Sequence, residues 1–329
     1  MKSILIILVC FISTSLCAQD LNFLPKANGQ LITHTHYSVS YVEEHEQPEW
    51  VAYYLSVEML NKVYDRKDTF KEDLSVTTGS ASYADYTSDT SYDAGHLLPC
   101  RQMQFDCNAM SETFYMSNMS PQRSKFNRYK WSALERLERN MAFRNDGLYV
   151  VSGPVLSSVS GAIGDNEVSI PEFYYKILLK YDDDGKKAIA FLLPNRHEPP
   201  VLEDYVVSID YVEAITGIDF FVNLPENEQV LLEGFSDKSK WNFENPQSNF
   251  GYTTDALKCS ATNYPDVQLN KVGLNSATKS EIESLPGIGA SKAQAIIEKR
   301  PYHSIDDLLD ISGIGQSTFN KIKGLVTLD

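Results

Sequence analysis

The order of apolar and polar positions along the 329 residues separates strand-like from helix-like segments. From Leu31 to Tyr54 the chain is rich in Tyr, Val and Thr with loose alternation, which predicts two strands around a turn at Gln47–Pro48. "YVVSGPVL" (149–156), "FYYKILLKY" (173–181) and "KKAIAFLLP" (186–194) also read as strands, and "DDDG" at 182–185 joins the last two as a hairpin. Between them, in "NRYKWSALERLERNMAF" (127–143), Trp131, Leu134, Leu137 and Met141 recur at three- and four-residue steps, which predicts an amphipathic helix. A shorter helix is expected over Ser208–Thr216, stopped by Gly217. Strands and helices together predict an α+β fold with a mixed or antiparallel central sheet.

The two ends of the chain differ from this middle. In "MKSILIILVCFISTSLCA" a lysine precedes an apolar run from Ile4 to Ile12 and then small residues, the order of a secretory signal peptide. The run is far short of the roughly 20 residues that span a bilayer. Cleavage near Ala18 and export to an extracellular or periplasmic space are therefore expected, with no membrane span in the mature form. After residue 258 "LPGIGASKAQAII" is echoed by "ISGIGQSTFNKI", with Gly287 and Gly289 offset by 26 positions from Gly313 and Gly315. A fixed offset indicates one unit used twice. The predicted organisation is a signal peptide at 1–18, a main domain at 19–258, a linker at 259–267 and a small all-α domain at 268–329.

The formal net charge of −15 excludes a surface coated in positive charge, so any grip on a nucleic-acid backbone must be local. Pro121 to Arg144 holds seven basic residues against two acidic, a local +5. Such a run is a candidate phosphate-facing surface or a solvated helix face. Beyond the signal segment the cysteines are Cys100, Cys107 and Cys259. Cys100 and Cys107 could close a small loop, with Cys259 free or paired between chains, or all three could be unpaired thiols. Cys and His are scattered without paired ligand spacing, which argues against a zinc enzyme.

Candidate chemistry centres on "YDAGHLLPC" (92–100) and on the forty residues after it. Asn127, Trp131, Glu135 and Arg139 are spaced by four, so on an α-helix each steps about 40° and they form one slanted row. An amide, a carboxylate and a guanidinium on one face suit an ion and a phosphate. At 1.5 Å per residue Asn127 and Glu135 stand about 12 Å apart, so water must bridge them to one ion. Magnesium tolerates this, since it keeps several waters and takes few protein ligands. His96 could then accept a proton from an attacking water, which describes a phosphodiesterase with one metal and one general base.

The run from Asp93-x-Gly-His96 through "TFYMSNMSPQ" to "NRYKWSALE" closely resembles the DNA/RNA non-specific endonucleases of the ββα-metal fold, over roughly residues 29–224. The resemblance implies His96 as general base beside Asp93, and Asn127 as direct ligand of Mg2+, with Mn2+ as an alternative ion. It further implies that Asn118 and Gln122 order the site, Glu135 holds a water of the hydrated ion and Arg139 contacts phosphate. Arg66 matches an upstream arginine of the family, and Arg123 is a further candidate for nucleic-acid contact. One position departs: Ala94 stands where the family has arginine. Loss of such a contact can cost on the order of 10²-fold in rate.

The C-terminal repeat resembles the tandem helix-hairpin-helix domain of secreted competence-type DNA receptors. Amides at Gly287, Gly289, Gly313 and Gly315, with Lys292 and Lys321, would hold phosphate oxygens without reading bases. The expected function is a secreted, metal-dependent, sequence-non-specific endonuclease acting on DNA, with RNA as an open second substrate. A C-terminal module would tether it to DNA. The alternative is an exported DNA-binding or uptake protein whose nuclease domain has degenerated, and a third reading makes both modules protein adaptors.

Overall fold

A computed structural model describes residues 23–199, 201–244 and 252–259. Of the C-terminal segment it describes 272–283, 285, 287–315, 318–319, 322–323 and 326–328. The predicted signal segment, all but the first residue of the predicted linker, and Lys321 lie outside the described residues.

The first part of the chain forms β1 (Gln30–Thr33), β2 (Tyr37–Val42), β3 (Gln47–Leu55), β4 (Lys62–Tyr64), α1 (Tyr83–Thr87), β5 (Tyr92–His96), α2 (Cys107–Glu112) and β6 (Met119–Arg123). A π-turn at Phe126–Trp131 then leads into α3 (Ser132–Arg144). It is followed by β7 (Leu148–Pro154), β8 (Val159–Ile163), β9 (Val168–Pro171), β10 (Phe173–Asp182), β11 (Gly185–Pro194), β12 (Val206–Val207), α4 (Ile209–Thr216), α5 (Glu226–Glu233) and β13 (Tyr252–Leu257).

Seven strands make one sheet in the order β1-β2-β3-β7-β10-β11-β12, antiparallel at every step. Successive side chains of β10 point to opposite faces. Tyr174 and Leu178 pack with Trp131, Leu134 and Met141 of the π-turn and α3, whereas Tyr175, Ile177 and Leu179 pack with Ile209, Val212 and Leu232 of α4 and α5. Cover on both faces explains why "FYYKILLKY" is a nearly continuous apolar run, since neither face needs to be polar. The β5–β6 and β8–β9 hairpins lie outside this sheet and share a small core of Tyr86, Tyr92, Met119, Ile163 and Val168.

The expected turn at Gln47–Pro48 is displaced. The chain reverses instead at Glu43–His45, where Glu46 takes the left-handed conformation at φ 51°, and Gln47 already begins β3. Pro48 is tolerated inside a central strand because the register slips there. Ser40 faces Trp50 while Tyr41 faces Pro48, so Glu49 is the extra residue of a bulge that breaks the regular ladder beside the proline.

The cysteines also pair differently from expectation. Cys107, the first residue of α2, is bonded to Cys259, 152 positions away, and Cys100 is the free thiol. Burial beside Met110 and Phe114 pushes the Cys100 thiol up to about 11 and leaves it unreactive. Sequence proximity favoured the Cys100–Cys107 loop; α2 turns its cysteine instead toward the end of β13, which runs parallel to β4.

The C-terminal segment has its own core, including Leu274, Ile282, Ile288, Ile296, Leu308, Ile314 and Val326. Its elements are β14 (Val272–Gly273), α6 (Lys279–Glu283), α7 (Ala290–Glu298), a 3-10 turn at Ile305–Asp310 and β15 (Val326–Thr327), which pairs in parallel with β14. Among the described residues, no helix is long and apolar enough to cross a membrane.

Candidate active site

His96 closes β5, opposite Met119 of β6. Two contacts stitch this strand to the π-turn. The indole of Trp131 donates to the His96 carbonyl at 3.1 Å, and Asp93 accepts from Asn127 Nδ2 at 3.0 Å, from Ser124 Oγ at 2.8 Å and from both arms of Arg128 at 2.8 and 2.9 Å. Burial pushes the Asp93 carboxyl upward, but the bonds from Arg128, Asn127 and Ser124 outweigh it and hold it below its usual range. Asp93 is therefore an ionised clamp that fixes the start of the helix.

The His96 ring lies edge-on to Phe114 at 4.8 Å and near Phe70 at 5.9 Å. It is 8 % exposed, and its Nε2 is buried with no hydrogen-bond partner among the described residues. Burial, with Arg66 second, lowers its pKa to about 3, so the imidazole is neutral with a free lone pair at neutral pH. The Arg66 guanidinium stands 5.4 Å from the Phe114 ring and is held by Asp68 at 2.6 Å.

Gln122, directly opposite Asp93 on β6, is fully buried, and neither amide atom has a hydrogen-bond partner among the described residues. Its side chain covers Gly95, where a β-carbon would come within 2.3 Å of the Gln122 amide carbon, so residue 95 must lack one. Asn118 is spent on the backbone. It accepts from Leu98 N at 2.8 Å and donates to Leu98 O and Thr113 O at 3.0 and 2.7 Å, which positions the segment after His96 and leaves it no group for substrate.

Past the π-turn, burial pushes the Glu135 carboxyl up to about 7, against the pull of Lys176 and Arg139. Beneath it runs a buried chain: Lys176 on Glu138 at 2.6 Å, Glu138 accepting from Tyr53 at 2.8 Å and from Gln102 at 3.1 Å, and Gln102 accepting from Arg139 at 3.3 Å. The row assumed for an ideal α-helix is altered here. The Ser132 amide bonds to the Asn127 carbonyl, an i→i+5 closure that adds a residue to the turn bearing Asn127 and Trp131.

The residues fit a hydrated divalent cation. Commitment of Asn127 Nδ2 to Asp93 leaves Oδ1 as an oxygen donor, a raised Glu135 is ready to ionise beside a cation, and the orphaned atoms of Gln122 and His96 lack only partners. The basic run is less exposed than its count suggests. Lys130 is buried on Glu198 at 2.6 Å and Tyr205 at 2.8 Å, and Arg128 is taken by Asp93, while Arg123 is exposed at the end of β6.

In the C-terminal unit Gly287 and Gly313 take the left-handed conformation at φ 73° and 88°, and Gly289 caps α7. Gly315 precedes Phe319, whose amide bonds to its carbonyl. Lys292 reaches back to the Gly287 carbonyl at 2.8 Å, and its stem runs alongside Gly313, within contact of the place a β-carbon would take, so it bridges the two hairpins.

This arrangement of a buried histidine on a β-hairpin, an asparagine on the following helix and a separate hairpin module has counterparts. The DNA/RNA non-specific endonuclease family model matches residues 21–227, and the chain belongs to that family. A helix-hairpin-helix motif model matches residues 267–327. A nuclease from Nostoc sp. is 30% identical over 226 residues, covering 64% of this chain and 80% of that protein. Human mitochondrial endonuclease G is 30% identical over 211 residues, 60% of this chain and 71% of that one. The mitochondrial nuclease EXOG of Danio rerio is 29% identical over 224 residues, 62% of this chain and 64% of that protein, so the chain spans just under two thirds of this relative. A crystal structure of an EndoG/EndoGI complex matches with a TM-score of 0.58 at 27% identity, covering 63% of this chain and 91% of the other.

Sequence reasoning missed Arg128, Ser124, Gln102, Glu138 and Lys176. Lys176 was the one with a signal, a lone lysine inside an apolar strand, which cannot be buried without an anion.

Proposed function

We propose that the chain is an exported endonuclease that hydrolyses phosphodiester bonds of DNA without sequence preference, using one magnesium ion and His96 as general base. The observation that carries this reading is the buried, neutral Nε2 of His96, without a partner among the described residues, next to a helix start pinned by Asp93. Nε2 would take the proton of a water attacking phosphorus. Held near 3 in the free protein, it is a weak acceptor. A phosphate bound beside the ring opposes the effect of Arg66 and raises its basicity, which couples proton uptake to substrate binding. Asn127 Oδ1 would hold the ion, with Glu135 ordering its waters. Magnesium bound there would offset charge building on the phosphoryl oxygens.

Arg66 supplies a cation next to the base, in place of the one Ala94 lacks, and this favours a working enzyme over a degenerate one. Arg139 and Arg123 would hold flanking phosphates. The Cys107–Cys259 bond supports an oxidising compartment. The hairpin module would tether the enzyme to DNA and raise local substrate concentration. The test is digestion of plasmid by the mature protein with magnesium, beside His96→Ala. Equal digestion by both removes the base assignment, and a gel shift without digestion by the parent supports the DNA-binding alternative.

A further inference from the structure

On the face of the sheet opposite the His96 site, α4 and α5 bring three carboxylates together. Asp210 and Glu213 are three residues apart and so share one side of α4, and Glu233 ends α5. One oxygen from each lies within 4.8 Å of the others. Two oxygens bound to one calcium ion at 2.3–2.6 Å can be no further apart than about twice that length, so the three fit a single calcium shell.

The cluster alone would mean little, because exposed acids often gather without a ligand. Glu233 differs. It is 6 % exposed, and its Oε1 is buried with no hydrogen-bond partner among the described residues. Glu213 spends one oxygen on the Phe220 amide at 2.8 Å, which fixes its direction and leaves the other oxygen available. Every charged group acting on Glu233, namely Glu213, Asp210 and Asp219, carries the same negative sign. A buried carboxylate aimed at two others, with no cation opposite among the described residues, leaves a large desolvation cost unmet.

We propose that Asp210, Glu213 and Glu233 form a calcium site that fastens α4 to α5 over the back of the sheet. An all-oxygen donor set selects a hard cation, and several carboxylates around one ion suit the flexible shell of calcium better than magnesium, which keeps most of its waters. The site is structural: it lies behind Ile209, Val212 and Leu232, which cover the face away from His96. Calcium there raises stability and leaves the chemical step alone.

The test uses the full mature chain carrying Asn127→Ala, which silences the cation site proposed near His96 and keeps the readout independent of that assignment. Thermal unfolding is followed in chelator and in 1 mM calcium, with isothermal titration of calcium alone. We expect one bound ion and a rise in Tm of about 5 °C. Adding Glu233→Gln should remove most of that rise while leaving the chelator Tm equal or higher, because a like-charge contact is relieved. If that variant does not fold, Asp210→Asn, at an exposed position, serves in its place. Absence of a calcium-dependent rise in the parent, or a full rise in the Glu233 or Asp210 variant, overturns the site.

Discussion

The nuclease unit and the hairpin module meet the same problem, a polyanionic substrate, with different materials. In the first, side chains are held where they cannot satisfy themselves: His96 Nε2 and both ends of Gln122 are buried without partners among the described residues, over a scaffold of bonded groups. In the second the groups proposed to bind are backbone amides at glycine turns, and Lys292 is tied to a carbonyl of the turn itself. Unsatisfied buried groups are costly and hence selective for one partner in one geometry, whereas exposed amides grip any phosphate weakly. The two regions should therefore respond to mutation on different scales.

The largest contrast is expected from His96→Ala, which should lower cleavage by about 10²–10⁴-fold while leaving duplex affinity unchanged, read by single-turnover digestion beside a gel shift. A comparable loss of that affinity would mean the ring binds rather than reacts. Next comes the scaffold. Glu138→Ala strands the Lys176 ammonium in the core and should cost about 3–5 kcal/mol in urea unfolding, more than any change in the module can cost the nuclease unit.

A smaller effect is expected from acid. His96 is depressed from 6.5 to about 3, so the unfolded chain takes up a proton there first, and the contribution of neutral His96, complete above pH 6.5, drains away as pH falls toward 3. At pH 5 this amounts to roughly 2 kcal/mol, and His96→Gln should be spared that part of the loss. Parallel acid curves for parent and variant would show that the ring is not held neutral. The smallest effect is expected in the module. Gly313→Val puts a side chain at φ 88° and against the Lys292 stem, and should weaken duplex binding about tenfold at low salt with single-turnover cleavage at saturation unchanged.

What the sequence disclosed tracks the range of the interaction. The antiparallel sheet, α3 and α4, with Gly217 in the left-handed conformation at φ 72°, arise from periodicity and local stops, which neighbouring residues determine. Asp93, His96 and Asn127 stand out in the sequence as motifs in order, and the fold brings Asp93 onto Asn127. The features that escaped depend on contacts across the fold. The π-turn answers to the bonds of Asp93 some 34 residues earlier, Pro48 is rescued by a bulge set by β2, and Lys176 is neutralised by a helix 38 positions away. The cysteine pairing needed β13 to return to β4, and no local pattern announces that.

That return sets a length scale. Cys259 is bolted to α2, and β14 of the module begins at Val272, thirteen positions on, a separation of at most about 45 Å. Laid along a duplex at 3.4 Å per step, this is about 13 base pairs. A module clamped on DNA would confine the first cuts to little more than one helical turn on either side of its own footprint. Reducing the disulfide would move the anchor back only to Leu257, which β13 pairs with Tyr64, so the ladder should widen by no more than about two base pairs.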